Sequence, residues 1–374
     1  MSMYAIVDGV QKEASMVLGN DDGVVRRAVS LWANKNGVPT RIWSAKDITP
    51  SIYAVSIVGS SVHYYNSKIG TEFTESPLSL TSNIFNTIVY GDGKFVIGST
   101  GRVHWTPDKG ATWNQASLPT SVTSSHVCTF GAYVGGRFIL VFSTSASGWT
   151  GYRSSFVTIM SEDGINWTTG AALSAPRLRT ESMFSNLAGN ELIVCGYNGF
   201  EFALYATKDG TSWEQRTNPA GSITYLQYGT YDISTGRYTV YSSNTEGYYS
   251  MDNGVSWTAF TVFGLADGMD TAVHSKKLKK YIVYSETNRT AYISDDGVNY
   301  EAIILPEYPE GTDYPLRSCR IVSTKEGFMF MGVYANSGLA LISRYTEEGV
   351  FDTIDYGFDY TGTSSYNHIN IGTS

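Results

Sequence analysis

Short apolar and aromatic runs alternate with clusters of Gly, Ser, Thr, Asn and Asp along nearly the whole chain. Ile88-Val-Tyr, Phe95-Val-Ile-Gly, Phe202-Ala-Leu-Tyr-Ala206 and Thr290-Ala-Tyr-Ile293 are typical. Runs of this length bounded by turn residues predict β-strands. Helical periodicity is nearly absent, so the pattern predicts an all-β chain.

The turns repeat. A Ser or Thr, an Asp two places on, a Gly and an aromatic recur as Thr106-Pro-Asp108-Lys-Gly110-Ala-Thr-Trp113 and Ser250-Met-Asp252-Asn-Gly254-Val-Ser-Trp257. A form one residue shorter gives Ser161-Glu-Asp163-Gly164-Ile-Asn-Trp167, Thr207-Lys-Asp209-Gly210-Thr-Ser-Trp213 and Ser294-Asp-Asp296-Gly297-Val-Asn-Tyr300. Degenerate copies stand at Asn66-Ser-Lys-Ile-Gly70-Thr-Glu-Phe73 and Thr346-Glu-Glu348-Gly349. From Asp108 the intervals to Asp163, Asp209, Asp252 and Asp296 are 55, 46, 43 and 44 residues. A second hairpin turn precedes each copy, as at Gly91-Asp-Gly-Lys94, Val134-Gly-Gly-Arg137, Ala188-Gly-Asn-Glu191, Ser234-Thr-Gly-Arg237 and Thr324-Lys-Glu-Gly327. Each unit is therefore predicted to hold four antiparallel strands, the size of one β-propeller blade.

These repeats resemble Asp-boxes, also called BNR repeats, which occur in sialidases and in many non-enzymatic propellers. The resemblance covers roughly residues 50–355. Its motif speaks for fold rather than activity. One blade per box, degenerate copies included, gives seven blades, with six as the alternative. The first unit, around Ile52–Glu75, lacks one strand, which the polar-apolar run His368-Ile-Asn-Ile371 is placed to supply.

Residues 1–47 read as a separate β-hairpin module before a propeller over 48–374. Asp8-Gly9, Asp22-Gly23 and Asn36-Gly37 are hairpin-turn signals whose Gly residues are 14 apart. With nearby basic residues and Trp32 and Trp43, the segment resembles stretches common in tailed-phage virion proteins. That resemblance implies attachment to other virion proteins through residues 1–47.

Composition narrows the function. Only 16% of the 374 residues are charged, against roughly 25% in ordinary chains, and the formal net charge is −8. The longest basic run is Lys276-Lys277-Leu278-Lys279-Lys280, so no nucleic-acid partner is expected. No apolar stretch is long enough to span a bilayer, and Met1-Ser-Met-Tyr-Ala-Ile-Val-Asp-Gly9 does not read as an export signal. Cys128, Cys195 and Cys319 stand apart in apolar runs and are expected to be buried and inert. No metal and no cofactor are expected.

Two questions of chemistry remain. The Asp carboxylates of the boxes (Asp108, Asp163, Asp209, Asp252 and Asp296) are expected to accept N–H groups of their own turns. Gly110, Gly164, Gly210, Gly254 and Gly297 are expected at positive φ, with Trp113, Trp167, Trp213, Trp257 and Tyr300 packing back on the blade. All fifteen are structural in this reading, and no catalytic residue is assigned. Recognition is placed instead in two lengthened segments on the face opposite the boxes, Ser145–Arg153 and Pro306–Pro315. Trp149, Tyr152, Arg153, Tyr308, Asp313 and Tyr314 are the candidate binding residues, since aromatics with polar edges suit contacts with a protein or sugar.

The enzymatic alternative is a sialidase-like glycan hydrolase. No Arg-Ile-Pro motif occurs, but Arg177, Arg179, Arg289 and Arg317 lie near loops of the predicted binding face. Glu181, Glu246, Glu286 and Asp313 are the available carboxylates. His63, His104, His126, His274 and His368 form no triad spacing. The favoured expectation is a non-enzymatic virion component, such as a tail fibre or baseplate protein, acting within an oligomeric assembly. Its propeller would present loops to a partner protein or a host surface glycan. A capsid decoration protein or a lectin-like surface propeller is the further alternative.

Overall fold

The computed structural model describes the backbone of the strands named below. It describes side chains within residues 87–145, 152–178, 190–219, 228–263, 271–305, 321–330 and 343–351, short gaps apart. The chain divides into two compact units, Met1–Pro50 and Ser51–Ser374. The first contains three hairpins: Met3–Val7 with Val10–Ala14, Asn20–Asp21 with Val24–Val25, and Ser30–Lys35 with Val38–Ser44. In each, the two strands flank one of the Asp-Gly or Asn-Gly pairs of the sequence.

Among the described residues, the second unit contains seven antiparallel sheets, all but the third four-stranded. Sheet 1 takes Ile52–Val58, Ser61–Ser67 and Thr74–Leu78. Sheets 2 to 7 follow over residues 85–115, 127–169, 184–216, 226–261, 271–303 and 316–355. The missing strand of sheet 1 is Ile369–Thr373, paired antiparallel with Ile52–Val58 so that Ile369 faces Ser56 and Thr373 faces Ile52. The first strands of sheets 2 to 7 contact one another in chain order, and Ile369–Thr373 contacts the first strands of sheets 7 and 2. Inner strands thus close on themselves, which makes the unit an all-β propeller.

The core lies between sheets. The second strand of sheet 3, Arg137–Ser145, carries the unbroken buried run Phe138-Ile139-Leu140-Val141-Phe142. Phe138, Leu140 and Phe142 pack with Val89, Val96 and Val103 of sheet 2. Ile139 and Val141 pack with Leu192, Val194 and Ala203 of sheet 4. The same alternation places Ile193 and Cys195 against Tyr238 and Val240, and Ile282 and Tyr284 against Phe328 and Phe330. Strands covered on both faces need no polar alternate, which explains the continuous apolar runs. Each such side chain contributes about 1.5–3 kcal/mol by leaving water. Between sheets 2 and 3, a Cβ on Gly98 would meet Cys128 Sγ. Cys128 and Cys195 are buried free thiols; the side chain of Cys319 lies outside the described residues.

Sheet 3 departs from the four-strand pattern. Its third strand, Tyr152–Ser161, is ten residues long and pairs at its far end with an added strand, Leu178–Arg179. Tyr152 and Arg153 therefore belong to the ladder and not to the preceding loop, a correction to the sequence-based boundary. A bulge between the Phe142–Val157 and Thr144–Ser154 pairs, with Ser155 at φ +51°, carries the ladder around a bend.

Candidate recognition site

The repeated hairpins concentrate carboxylates and hydroxyls. Each joins the third and fourth strands of its sheet. In 161–167, Ser161 Oγ donates to Asp163 Oδ1 at 2.9 Å and accepts the Gly164 N–H at 2.8 Å. Asp163 Oδ1 also accepts the N–H groups of Ile165 and Asn166 at 2.8 Å, and Oδ2 accepts Asn166 Nδ2 at 2.7 Å. Asp296 repeats this with Ser294, Val298 and Asn299. In the longer form, Asp108 holds Thr106 and Thr112, and Asp252 holds Ser250, Val255 and Ser256. Asp209 holds both the N–H and the hydroxyl of Thr211. The five glycines have φ between +70° and +92°, where other L-residues are strained.

The hydroxyls of Ser250 and Ser256, with backbone N–H groups, lower the Asp252 carboxyl to about 2. At Asp296 burial opposes the charge, but donors from Asn299, Val298 and Ser294 outweigh it and also bring the carboxyl to about 2. A carboxylate already committed to donors, and ionised at neutral pH, is poorly suited to act as a general acid.

Three of the hairpin aromatics bond beyond their own sheets. Trp213 Nε1 donates to Thr158 Oγ1 of sheet 3 at 2.9 Å, and Trp257 Nε1 to the Thr217 carbonyl, just past sheet 4, at 2.8 Å. Tyr300 and Tyr241 share a hydroxyl hydrogen bond of 2.7 Å between sheets 6 and 5. Backbone bonds join the same borders: Ala171 N–H to Gly210 O at 2.9 Å, and Tyr300 N–H to Phe263 O at 3.0 Å. The hairpins that end in Trp213, Trp257 and Tyr300 are thus joints between consecutive sheets, a role larger than packing on their own blade, whereas Trp167 Nε1 donates to the Gly164 carbonyl of its own hairpin.

Other buried polar groups are likewise occupied. Asp232, buried between sheets 5 and 6, accepts Ser234 N–H, the Ser234 and Thr235 hydroxyls, and Tyr281 OH at 3.3 Å. His274 Nδ1 lies 3.3 Å from Asp232 Oδ1 without hydrogen-bond alignment. Burial lowers the His274 pKa, with Asp232 acting in opposition. Glu191 is held by Arg216 Nη2 at 2.9 and 3.0 Å. His104 is buried in its strand and burial lowers it to about 4. Asp232 thereby joins sheets 5 and 6, while Glu191 and Arg216 pair within sheet 4. Glu246 accepts Tyr248 OH at 3.2 Å, while the side chains of Glu181, Glu286, Asp313, Arg179, Arg289 and Arg317 lie outside the described residues.

Of the candidate binding residues, Tyr152 and Arg153 are described; Trp149, Tyr308, Asp313 and Tyr314 lie outside the described residues. Tyr152 faces Arg179 across the ladder and Arg153 faces Leu178. Adjacent strand residues project to opposite faces, so the structure separates this pair. Tyr152 carries the Arg177 guanidinium 5.3 Å from its ring centroid. Arg153, half-buried, sits in register between Ser145 and the fully buried Leu178. The sequence places both residues in one loop and carries no signal for the Arg177 stack, which depends on a two-residue strand with no periodic pattern.

A cavity of about 310 Å³ lies beside the 161–167 hairpin, lined by Arg137, Met160, Glu162, Asp163, Asn166 and Thr168 among others. Arg137 is already paired with Glu162 at 2.9 Å. Among the described residues, no three His, Cys, Asp or Glu side chains converge as a metal site.

No protein-family model matches the sequence, and no curated protein does. Solved structures do resemble it. A Lactobacillus plantarum protein aligns with TM-score 0.59 at 10% identity, over 82% of this chain and 96% of that one. Virginiamycin B lyase from Staphylococcus aureus aligns with TM-score 0.53 at 12% identity, over 75% and 87%. YCF48 bound to a D1 peptide aligns with TM-score 0.52 at 15% identity, over 76% and 84%. At such identities the likeness is one of fold.

Proposed function

We propose that this chain is a non-enzymatic structural and recognition component of a tailed-phage particle. Seven Asp-box-type blades would form its rigid ring, and residues 1–47 would attach it to other virion proteins. The loops opposite the boxes would then meet a partner protein or a host surface glycan. The observation that carries the non-enzymatic part is the state of the repeated carboxylates: all five hold donors of their own turns. The separate hairpin unit before the ring favours an attachment role. Similar folds include a lyase and a peptide-bound protein. The fold alone therefore accommodates either catalysis or binding.

Mass spectrometry of purified virions tests the assignment. The chain is expected at stoichiometric levels, and its absence from particles overturns the reading. Incubation with host glycans, followed by assay for released sugar, tests the hydrolase alternative; binding without release is the expected outcome.

A further inference from the structure

Among the described residues, Arg153 stands out from the other partly buried cations. Arg137 pairs with Glu162, Arg216 with Glu191 and Glu214, and Arg237 donates to the Asp296 carbonyl while lying over Tyr249. Arg153 is half-buried yet has neither a carboxylate nor a hydrogen-bond acceptor among those residues. Burial alone shifts it, lowering its pKa. None of its nitrogens is both buried and unpaired, so the guanidinium remains reachable, and its planar fork suits an anion that supplies bidentate acceptors.

Its surroundings fix it in place. Arg153 stands in register with a neighbouring strand on both sides, opposite Ser145 and opposite Leu178. Leu178 is fully buried, packed with Phe156 and with Leu192 and Val194 of sheet 4. The bulge at Ser155 lies two residues away. Bulges of this kind re-aim side chains near functional sites. Arg153 also lies at the end of its strand opposite the 161–167 hairpin, beside the uncharged segment Ser145-Ala-Ser-Gly-Trp-Thr-Gly151. Exposed Ser145 is its register partner and offers a hydroxyl on the same face.

We propose that Arg153 is the anion-binding residue of a saccharide site on the sheet 4 side of this ladder, taking a sugar that bears a carboxylate or sulfate group. The proposal rests on the recognition reading and gives its ligand a charge. A fork of planar donors suits the two oxygens of such a group, while Ser145 suits a neighbouring sugar hydroxyl. Arg177 and Tyr152 project from the other face and form no part of the site.

Calorimetry of the full chain against an oligouronate, a sulfated oligosaccharide, a neutral oligosaccharide and an oligoglutamate tests this. At least one acidic saccharide is expected to bind, more weakly as salt rises, with the neutral sugar and the peptide at least about tenfold weaker. Arg153→Gln is expected to lower that affinity about tenfold or more, Arg153→Lys to restore part of it, and Arg177→Gln to leave it within about twofold. Thermal midpoints of the three variants separate lost contacts from lost fold. No acidic saccharide binding, equal losses in Arg153→Gln and Arg177→Gln, or tighter binding of oligoglutamate each overturns the site. Neutral-sugar binding that survives Arg153→Gln overturns the anion site while leaving the recognition reading intact. The virion experiment fails or succeeds independently of all four arms.

Discussion

The indole N–H of Trp257 donates to the carbonyl of Thr217, forty residues earlier in the chain, at 2.8 Å. One residue ends a repeat and the other follows the outer strand of the sheet before it. The bond therefore fastens two sheets at their rim, while Tyr238 stacks on the same indole at 5.8 Å. Trp257→Phe should keep most of the packing and lose the bond, at a cost of about 1 kcal/mol. Trp257→Ala should cost about 2–4 kcal/mol by losing both. Denaturant unfolding of the two variants checks the split; equal losses would mean that the hydrogen bond accounts for everything.

The hairpin carboxylates should give the ring a characteristic acid response. Asp252 and Asp296 ionise at about 2 in the folded chain, below the ordinary 3.8. A depressed folded pKa contributes stability that is present above the unfolded value and lost as pH falls through the folded one. The thermal midpoint should therefore drop between pH 4 and 2. Asp252→Asn combined with Asp296→Asn should begin lower at pH 6 and fall less over that window. A parallel decline in both proteins would assign the acid sensitivity to other groups.

Gly98 and Cys128 mark a contact where backbone flexibility is not the issue and space is. A Cβ at Gly98 meets both Cys128 Sγ and, at 2.8 Å, Cys128 Cβ. Gly98→Ala should destabilise by about 1–3 kcal/mol through overpacking. Adding Cys128→Ala removes the sulfur and should recover part of that loss, although Cys128→Ala is itself destabilising. A double-mutant cycle measures the coupling; additive effects would show that the sheets part easily at this point.

Much of this fold was legible because its turns carry chemistry that local sequence displays. Asp163 and Gly164 announce a hairpin through donor geometry and positive φ, both satisfied within a few residues. The alternation of Ile139 and Leu140 between neighbouring sheets was hidden, since a strand buried on both faces shows no polar period. Leu178–Arg179 was hidden too. Two residues after Pro176 give no strand signal, and only their pairing with Tyr152 and Arg153 makes them one. That short strand is what sends Tyr152 and Arg153 to opposite faces. The candidate site was thus found as a region by sequence and resolved into separate faces by structure.

The buried thiols should be chemically silent. Burial pushes Cys128 and Cys195 up to about 12, with weak counteraction from Thr87 and Tyr238. Thiolate is the reactive species. Iodoacetamide at pH 8 should leave both unmodified in the native chain and label them after denaturation, as peptide mapping will show. Rapid native labelling of either would mean that its inter-sheet layer opens.

Closure of the ring depends on a strand contributed from the far end of the chain. Ile369–Thr373 pairs along Ile52–Val58 and also contacts the first strands of sheets 7 and 2. Removing residues 369–374 would leave the inner edge of sheet 1 with unmet N–H and C=O groups, and edges of that kind invite association. At about 0.5–1.5 kcal/mol net per hydrogen bond, loss of this ladder should cost on the order of 3–5 kcal/mol. The truncated chain should therefore melt earlier and self-associate, by calorimetry and light scattering. A peptide spanning 365–374 added in trans should raise the midpoint by refilling the same edge, because strand addition uses the backbone bonds that the deletion exposed. The same peptide with Pro at Asn370 should do so less well, since Pro lacks the N–H and restricts the preceding residue. A truncated chain that remains monomeric with an unchanged midpoint would show that the ring is held shut by its inter-sheet layers and hairpin joints without that strand.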